Sequence, residues 1–327
     1  TISRNGDLIY RMYIQLEIST GTYIVENPGA HFIDTVELEI GGQLIDRHSG
    51  QWLETWTELT ELNPAGRVCD TNNTGTLFQR MSGMGGQIRG KTFHPVSNRD
   101  GARCFVPLQF WFNRNPGLAL PLIALQYHEV KVILTHRSVS TTLSKNLLWA
   151  DYIYLDTDER RRFAQVSHEY LIEQVQEQTC TNSLNNTINF NHPVKELVWT
   201  GLWASGQSAK DTVKTGVNWK LSLNGHDRFA SRPYDYFTRV QIWQHHSGCG
   251  GLDSATAGDT QHADVIAVYS FALKPEEHQP SGTCNFSRID TAELSSTTLP
   301  GAGFVVFAVN YNVLRIMSGM GGLAYSN

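Results

Sequence analysis

The sequence predicts an all-β protein made of two tandem β-sandwiches, and three observations carry that prediction. Apolar residues recur at alternate positions in many short stretches, each bounded by Gly, Asn, Pro or Asp. Charged residues make up only 17% of the chain, while Gly, Asn, Thr and Ser are plentiful, a balance that suits strands and turns rather than long helices. One series of strand features occurs twice, in the same order, along 327 residues, enough for two domains and a sizeable core. The aromatic complement, Phe 14, Tyr 12 and Trp 8, can fill two sandwich interiors.

In the first copy, the turn dipeptide Asn5-Gly6 precedes Leu8 to Ile18, where alternation from Tyr13 marks a strand. Val36 to Ile40 alternates, turns at Gly41-Gly42 and returns through Leu44-Ile45, a hairpin by composition and spacing. Trp52, Leu53, Trp56 and Leu59 stand at helical spacing, which predicts a short helix over Trp52 to Leu62. Asn63 to Gly101 lacks periodicity and reads as a long surface excursion. The apolar run Phe105 to Phe112 reads as a buried strand. Asn113 to Gly117 breaks it, and Tyr127 to Leu134 alternates as a return strand. Leu147 to Leu155 closes the series. Asp156 or Thr157 then offers a cap for a short helix carrying Arg160, Arg161 and Arg162. This segment marks the expected boundary: residues 1–156, a linker at 157–165, then 166–327.

The second copy starts with a strand over His168 to Gln176. Asn191 to Trp199 then repeats the turn and strand of Ser3 to Met12, and Trp219 to Gly225 repeats the Gly41-Gly42 hairpin. Val265 to Phe271, with a return at Cys284 to Ile289, repeats Phe105 to Val132, and Phe304 to Leu314 repeats Leu147 to Leu155. A repeated unit of this size with many short strands favours a sandwich.

Three strings carry a family resemblance: FWFNRNPGLALPLIALQYHEV from Phe110, NFSRID from Asn285, and the terminal LRIMSGMGGLAYSN. Over essentially its whole length the chain resembles the major capsid proteins of large icosahedral double-stranded DNA viruses, those of phycodnaviruses and iridovirus-like relatives. The resemblance implies two tandem eight-stranded jelly rolls, a double jelly roll. It also implies that the first jelly roll lacks its N-terminal strand, because the family pattern places a further segment before Thr1. The implied function is structural: homotrimeric, pseudo-hexagonal capsomers that tile a virion shell, assembled in the host-cell cytoplasm. Implied partners are further copies of the chain and minor capsid proteins, near an internal viral membrane but not inserted in it. The loops at Asn63 to Gly101, Gly201 to Gly216 and Gly248 to His262 are candidates for the outward end. Two rivals stand beside this reading. One is a two-domain β-sandwich that binds carbohydrate or attaches to cells; the other is a cupin-type jelly-roll enzyme.

Chemistry-bearing motifs are sparse. The net charge of −5 gives no support for a nucleic-acid surface, and three adjacent arginines are too few to claim one. No run approaches the roughly 20 apolar residues that span a bilayer. His245-His246 with Cys249, His262 and Asp264 offer the residue types of a metal cluster. Adjacent histidines on a strand point to opposite faces, so structural roles are preferred. Asp156, Asp158 and Glu159 beside the arginines read as a solvated or interfacial linker. Met81 to Gly86 nearly repeats as Met317 to Gly322, and without phosphate-loop spacing both suit close packing, with Met81, Met84, Met317 and Met320 as interface candidates. Of the sequons at Asn72, Asn185 and Asn285, Asn72 is the best-placed glycan acceptor. The five scattered cysteines read as reduced thiols. No catalytic residue, cofactor or metal is expected.

Overall fold

The computed structural model describes residues 1–18, 27–62, 77–85, 102–137, 143–202, 217–248, 250, 266–301 and 303–325. In the first half the strands are β1 (Leu8–Ile18), β2 (Ile33–Ile40), β3 (Gln43–Ser49), β4 (Ala102–Pro107), β5 (Leu120–Pro121), β6 (Val130–His136) and β7 (Leu143–Ile153). In the second they are β8 (His168–Cys180), β9 (Asn185–Thr187), β10 (Pro193–Gly201), β11 (Asn218–Leu223), β12 (His226–Asp227) and β13 (Arg232–Pro233). These are followed by β14 (Ile266–Ser270), β15 (Cys284–Asn285), β16 (Ala292–Ser296), β17 (Phe304–Met317) and β18 (Met320–Leu323).

The repeat holds at the level of pairing. β1 pairs antiparallel with β4, β5 and β7, and β10 pairs antiparallel with β14, β15 and β17. In the facing sheets β2 pairs with β3 and β6, while β11 pairs with β12 and β16. The second half adds β8 on β17 and β9 on β16, which have no counterparts among the described residues of the first. Each half is therefore a pair of antiparallel sheets with sandwich connectivity, the double jelly roll. One core gathers Ile14, Leu16, Val36, Leu38, Val106 and Phe110; the other gathers Leu197, Trp199, Trp219, Leu294, Phe304 and Val306.

The hairpins form where the turn dipeptides place them. Gly41 and Gly42 (φ 58° and 84°), like Asn224 and Gly225 (φ 50° and 78°), adopt the left-handed pairs that match strand twist. The helix of the first copy is α2 (Gly50–Thr60), with the Ser49 hydroxyl accepting from Trp52 N–H at its N-terminus. It follows α1 (Pro28–His31).

Several expectations need correction. The run Phe105 to Phe112 is not one strand. β4 ends at Pro107, which has no N–H for a ladder, and α4 (Trp111–Arg114) follows. Phe110, Trp111 and Phe112 pack against one another in the first core, so burial of the aromatics outweighs their strand propensity. The return strand does not pair with the outgoing one: β4 lies on β1 and β6 on β2, in opposite sheets. The same holds in the second half, where Cys284 to Ile289 yields only two strand residues and a 3-10 turn, and β16 makes the return. The excursion from Asn63 is not all surface. Its described part holds α3 (Leu77–Ser82), and Met84 beyond it is buried in the first core. Finally, His245 and His246 stand at the end of a helix, not on a strand. A π-helical turn at Tyr236–Val240 leads into α6 (Gln241–His245), a helix that the sequence reading missed. α5 (Thr157–Gln165) lies between the halves with Asp156 before it, and none of its residues is buried.

Candidate functional site: the seam between the halves

The halves meet along α2. This helix is buried from Gly50 to Leu59 because it is covered on two sides. Leu53 points into the first core, whereas Trp52, Trp56 and Leu59 lie on the outer face of the second half's sheet, against Val198, Val268, Val305, Phe307 and Val309. The Trp52 ring lies 5.1 Å from that of Phe307. The end of α2 would leave carbonyls without partners. The second half supplies donors: Gly248 N–H to Leu59 O at 2.7 Å and Gly250 N–H to Glu58 O at 2.8 Å. Gln51 in turn donates to Gly201 O at 2.6 Å.

Burying charge costs free energy that ion pairing and hydrogen bonding offset, and two charged clusters at the seam bring such partners together. Lys195, with 0% of its side chain exposed, donates to Glu173 at 2.8 Å, and Arg114 reaches the same carboxylate from the first half at 2.6 Å. Burial alone would raise the Glu173 pKa. Arg114, a hydrogen bond from His278 and Lys195 together hold it down at about 2. The Arg114 guanidinium also lies over the Trp56 ring, 4.9 Å from its centroid. In the second cluster His246 sits between Glu196 at 2.8 Å and Glu276 at 3.0 Å. Burial pulls its pKa down, but the two carboxylates outweigh that and raise it to about 9, so the ring is an imidazolium at neutral pH. Ser247, next in the chain, bonds Glu276 and donates to Thr60 O across the seam.

A third contact adds specificity. Asp46 on β3 accepts from Val175 N–H at 3.1 Å, with His48 Nε2 at 2.9 Å from its other oxygen. Gln174 donates to Ile45 O. The end of the chain completes the join. β17 and β18 cross onto the first half, where Leu314 and Ile316 enter its core. Gly319 O accepts from Tyr127 N–H at 3.0 Å, and Leu323 N–H donates to Gln43 at 3.2 Å.

The candidate residues fall as follows. The two Met-Gly strings fold differently. Ser82 to Gly85 turns back onto α2, with Gly85 N–H donating to Glu54 at 2.9 Å, whereas Met317 to Met320 is the turn joining β17 to β18. Met84 is buried; Met81, Met317 and Met320 are exposed. Arg160 binds Asp7 at 3.0 Å, and Arg161 and Arg162 lie along the exposed α5. Asn72 lies outside the described residues, as do Cys249, His262, Asp264 and most of the three long loops. Asn285 uses its side chain to accept from Ser287 N–H. Among the described residues no group of three or more His, Cys, Asp or Glu could hold a metal ion. Cys104, Cys180 and Cys284 are free thiols. No helix among the described residues is long and apolar enough to cross a membrane. Both charged clusters escaped sequence reasoning, since their members lie far apart in the chain and on no common period.

The family model described as the large eukaryotic DNA virus major capsid protein matches residues 159–322, and the one described as the major capsid protein N-terminus matches residues 1–156. A major capsid protein of Pyramimonas orientalis virus is 48% identical, with 100% of this chain and 85% of that protein covered. One from Paramecium bursaria Chlorella virus 1 is 39% identical, covering 100% and 86%. Among solved structures, the PBCV-1 VP54 crystal structure fitted into a reconstruction of the virophage Sputnik has a TM-score of 0.80. It is 36% identical, and the match covers 100% of this chain and 92% of that one. The Faustovirus major capsid protein, TM-score 0.63 at 12% identity, covers 97% and 87% and shares the fold alone.

Proposed function

The chain belongs to the large eukaryotic DNA virus major capsid protein family, and from that premise we propose that three copies close around one axis into a capsomer of near-hexagonal outline. The protein is a structural component of the virion shell. Its chemistry on this reading is burial and shape complementarity rather than turnover. The observation that carries the proposal is the duplicated sandwich locked into one body by a buried seam. Three such bodies present six similar units around an axis, and closed cyclic symmetry satisfies each copy's contacts while leaving a defined rim.

Several finer features belong to the same proposal. The first jelly roll takes residues 1–156, the linker 157–165 and the second jelly roll 166–327. The long loops around Asn63, Gly201 and Gly248 form the outward end, with Asn72 as a glycan acceptor. Met81, Arg161, Arg162, Met317 and Met320 are available for contacts with neighbouring capsomers or minor capsid proteins. Assembly takes place in the host cytoplasm, close to an internal viral membrane without insertion into it. Negative-stain imaging of the purified protein tests the central statement. Three-fold particles with a hexagonal outline are expected, and a field of uniform single-chain particles would refute it.

A further inference from the structure

A cleft of about 940 Å³ opens at the seam, where α2, α3 and α4 meet the sheet of β1 and β4. That volume is typical of a site for a small molecule. Its walls are aromatic. Tyr10 and Tyr13 come from β1, Phe105 from β4, Trp56 from α2 and Phe78 from α3. Tyr13 and Phe105 line it because alternation along each strand sends their neighbours Ile14 and Val106 into the core. Ring faces attract cations, and one ring here already holds one: the Arg114 guanidinium lies 4.9 Å from the Trp56 centroid.

The charged groups of the cleft do not cancel. Arg114 and Glu276 line it, but each is matched elsewhere in the chain, Arg114 by Glu173 and Glu276 by His246. That leaves two carboxylates, Glu61 and Asp151, against one cation, Arg11, which lies over the Tyr10 ring at 5.3 Å. Among the described residues neither carboxylate has an ion-pair partner. Burial raises the Glu61 pKa above its ordinary value. Asn113 adds an independent sign. It lines the cleft from α4 and is 7% exposed. Its amide N–H donates to Tyr10 O, whereas its Oδ1 receives no hydrogen bond. A buried acceptor without a donor costs free energy.

We infer that the cleft is a binding site for a small organic cation, a primary ammonium on an apolar or aromatic stem. The rings of Tyr13, Trp56 and Phe105 take the stem, and the ammonium N–H groups meet the acceptors that Glu61, Asp151 and Asn113 leave open. An anion of the same shape would meet two carboxylates without partners. The cleft has walls from both halves, since Glu276 belongs to the second and the other residues to the first. A bound cation therefore favours the joined, folded chain. The inference goes beyond the capsomer reading and does not rest on it.

The test is isothermal titration of the full chain at pH 7 with three probes that share an indole ring: tryptamine, a cation; tryptophol, neutral; and indole-3-acetate, an anion. Tryptamine is expected to bind about tenfold more tightly than tryptophol, and indole-3-acetate to give no binding heat. Tryptamine is also expected to raise the thermal midpoint. Glu61→Gln and Asp151→Asn change exposed side chains, so the fold should survive both. Each is expected to weaken tryptamine roughly fivefold and to leave tryptophol unchanged. Arg11→Gln, which removes the opposing cation, is expected to tighten tryptamine. Equal affinity for the three probes would overturn the inference, as the cleft would then be no more than an apolar surface. So would an absence of tryptamine binding, or tryptamine binding unchanged in both carboxylate variants.

Discussion

Arg114 Nη2 and Glu173 Oε2 meet at 2.6 Å across the line where the two halves join, and Lys195 completes the cluster from the far side at 2.8 Å. The three residues differ in how much they lose when a partner goes. Removing the carboxylate leaves Lys195 charged, fully buried and uncompensated. Removing Arg114, 24% exposed, leaves Glu173 still paired with Lys195. Glu173→Gln is therefore expected to cost about 3–5 kcal/mol, and Arg114→Met about 2 kcal/mol. Urea unfolding midpoints check this order, and equal losses would contradict it.

Stability is expected to depend on pH with opposite signs at the two clusters. The two carboxylates raise His246 to about 9 in the folded chain from an ordinary 6.5, so its contribution is fully present below pH 6.5 and lost as pH rises through 9. A shift of that size corresponds to about 3 kcal/mol. Glu173 titrates at about 2 against 4.5, so its contribution is present above pH 4.5 and lost as pH falls towards 2. The expected maximum lies between pH 4.5 and 6.5. Unfolding free energies measured from pH 2 to pH 10 check this. His246→Gln should lower stability at pH 6 and flatten the alkaline slope.

Gly248 lets the second half approach the end of α2. A Cβ there would meet Glu58 O and the Leu59 carbonyl carbon at 2.5 Å, both backbone atoms that cannot swing aside. Gly248→Ala is expected to cost about 1–3 kcal/mol, read as a lower thermal midpoint. Gly117→Ala is the control, since the nearest atom there is the Asn115 side-chain oxygen at 3.3 Å.

Thiol reactivity should follow burial. Desolvation pushes Cys104 up to about 12 and Cys180 up to about 11, so neither is a thiolate at pH 8. In the native protein both are expected to resist a thiol reagent that labels them fully in denaturant. Peptide mass mapping identifies the modified sites, and rapid native labelling of Cys104 would contradict its place in the core.

What was legible in the sequence was local. The hairpins at Gly41-Gly42 and Asn224-Gly225 and the helix at Trp52 to Leu59 announce themselves through turn chemistry and spacing over a few residues. The duplicated order of strands was legible because pairing follows that order in both halves. The Tyr236 to His245 helix was not, because its aromatic and β-branched residues favour strands and tertiary packing decides the matter. Lys195 and Glu196 read as polar positions on an ordinary strand. β10 is covered on both faces, by the core of its own half and by α2, so both charges are buried and need partners from distant parts of the chain.

Native mass spectrometry of the purified chain tests the central claim most directly. A dominant ion of three chains, persisting at micromolar concentration, is the predicted result. A single chain at every concentration tried would contradict it.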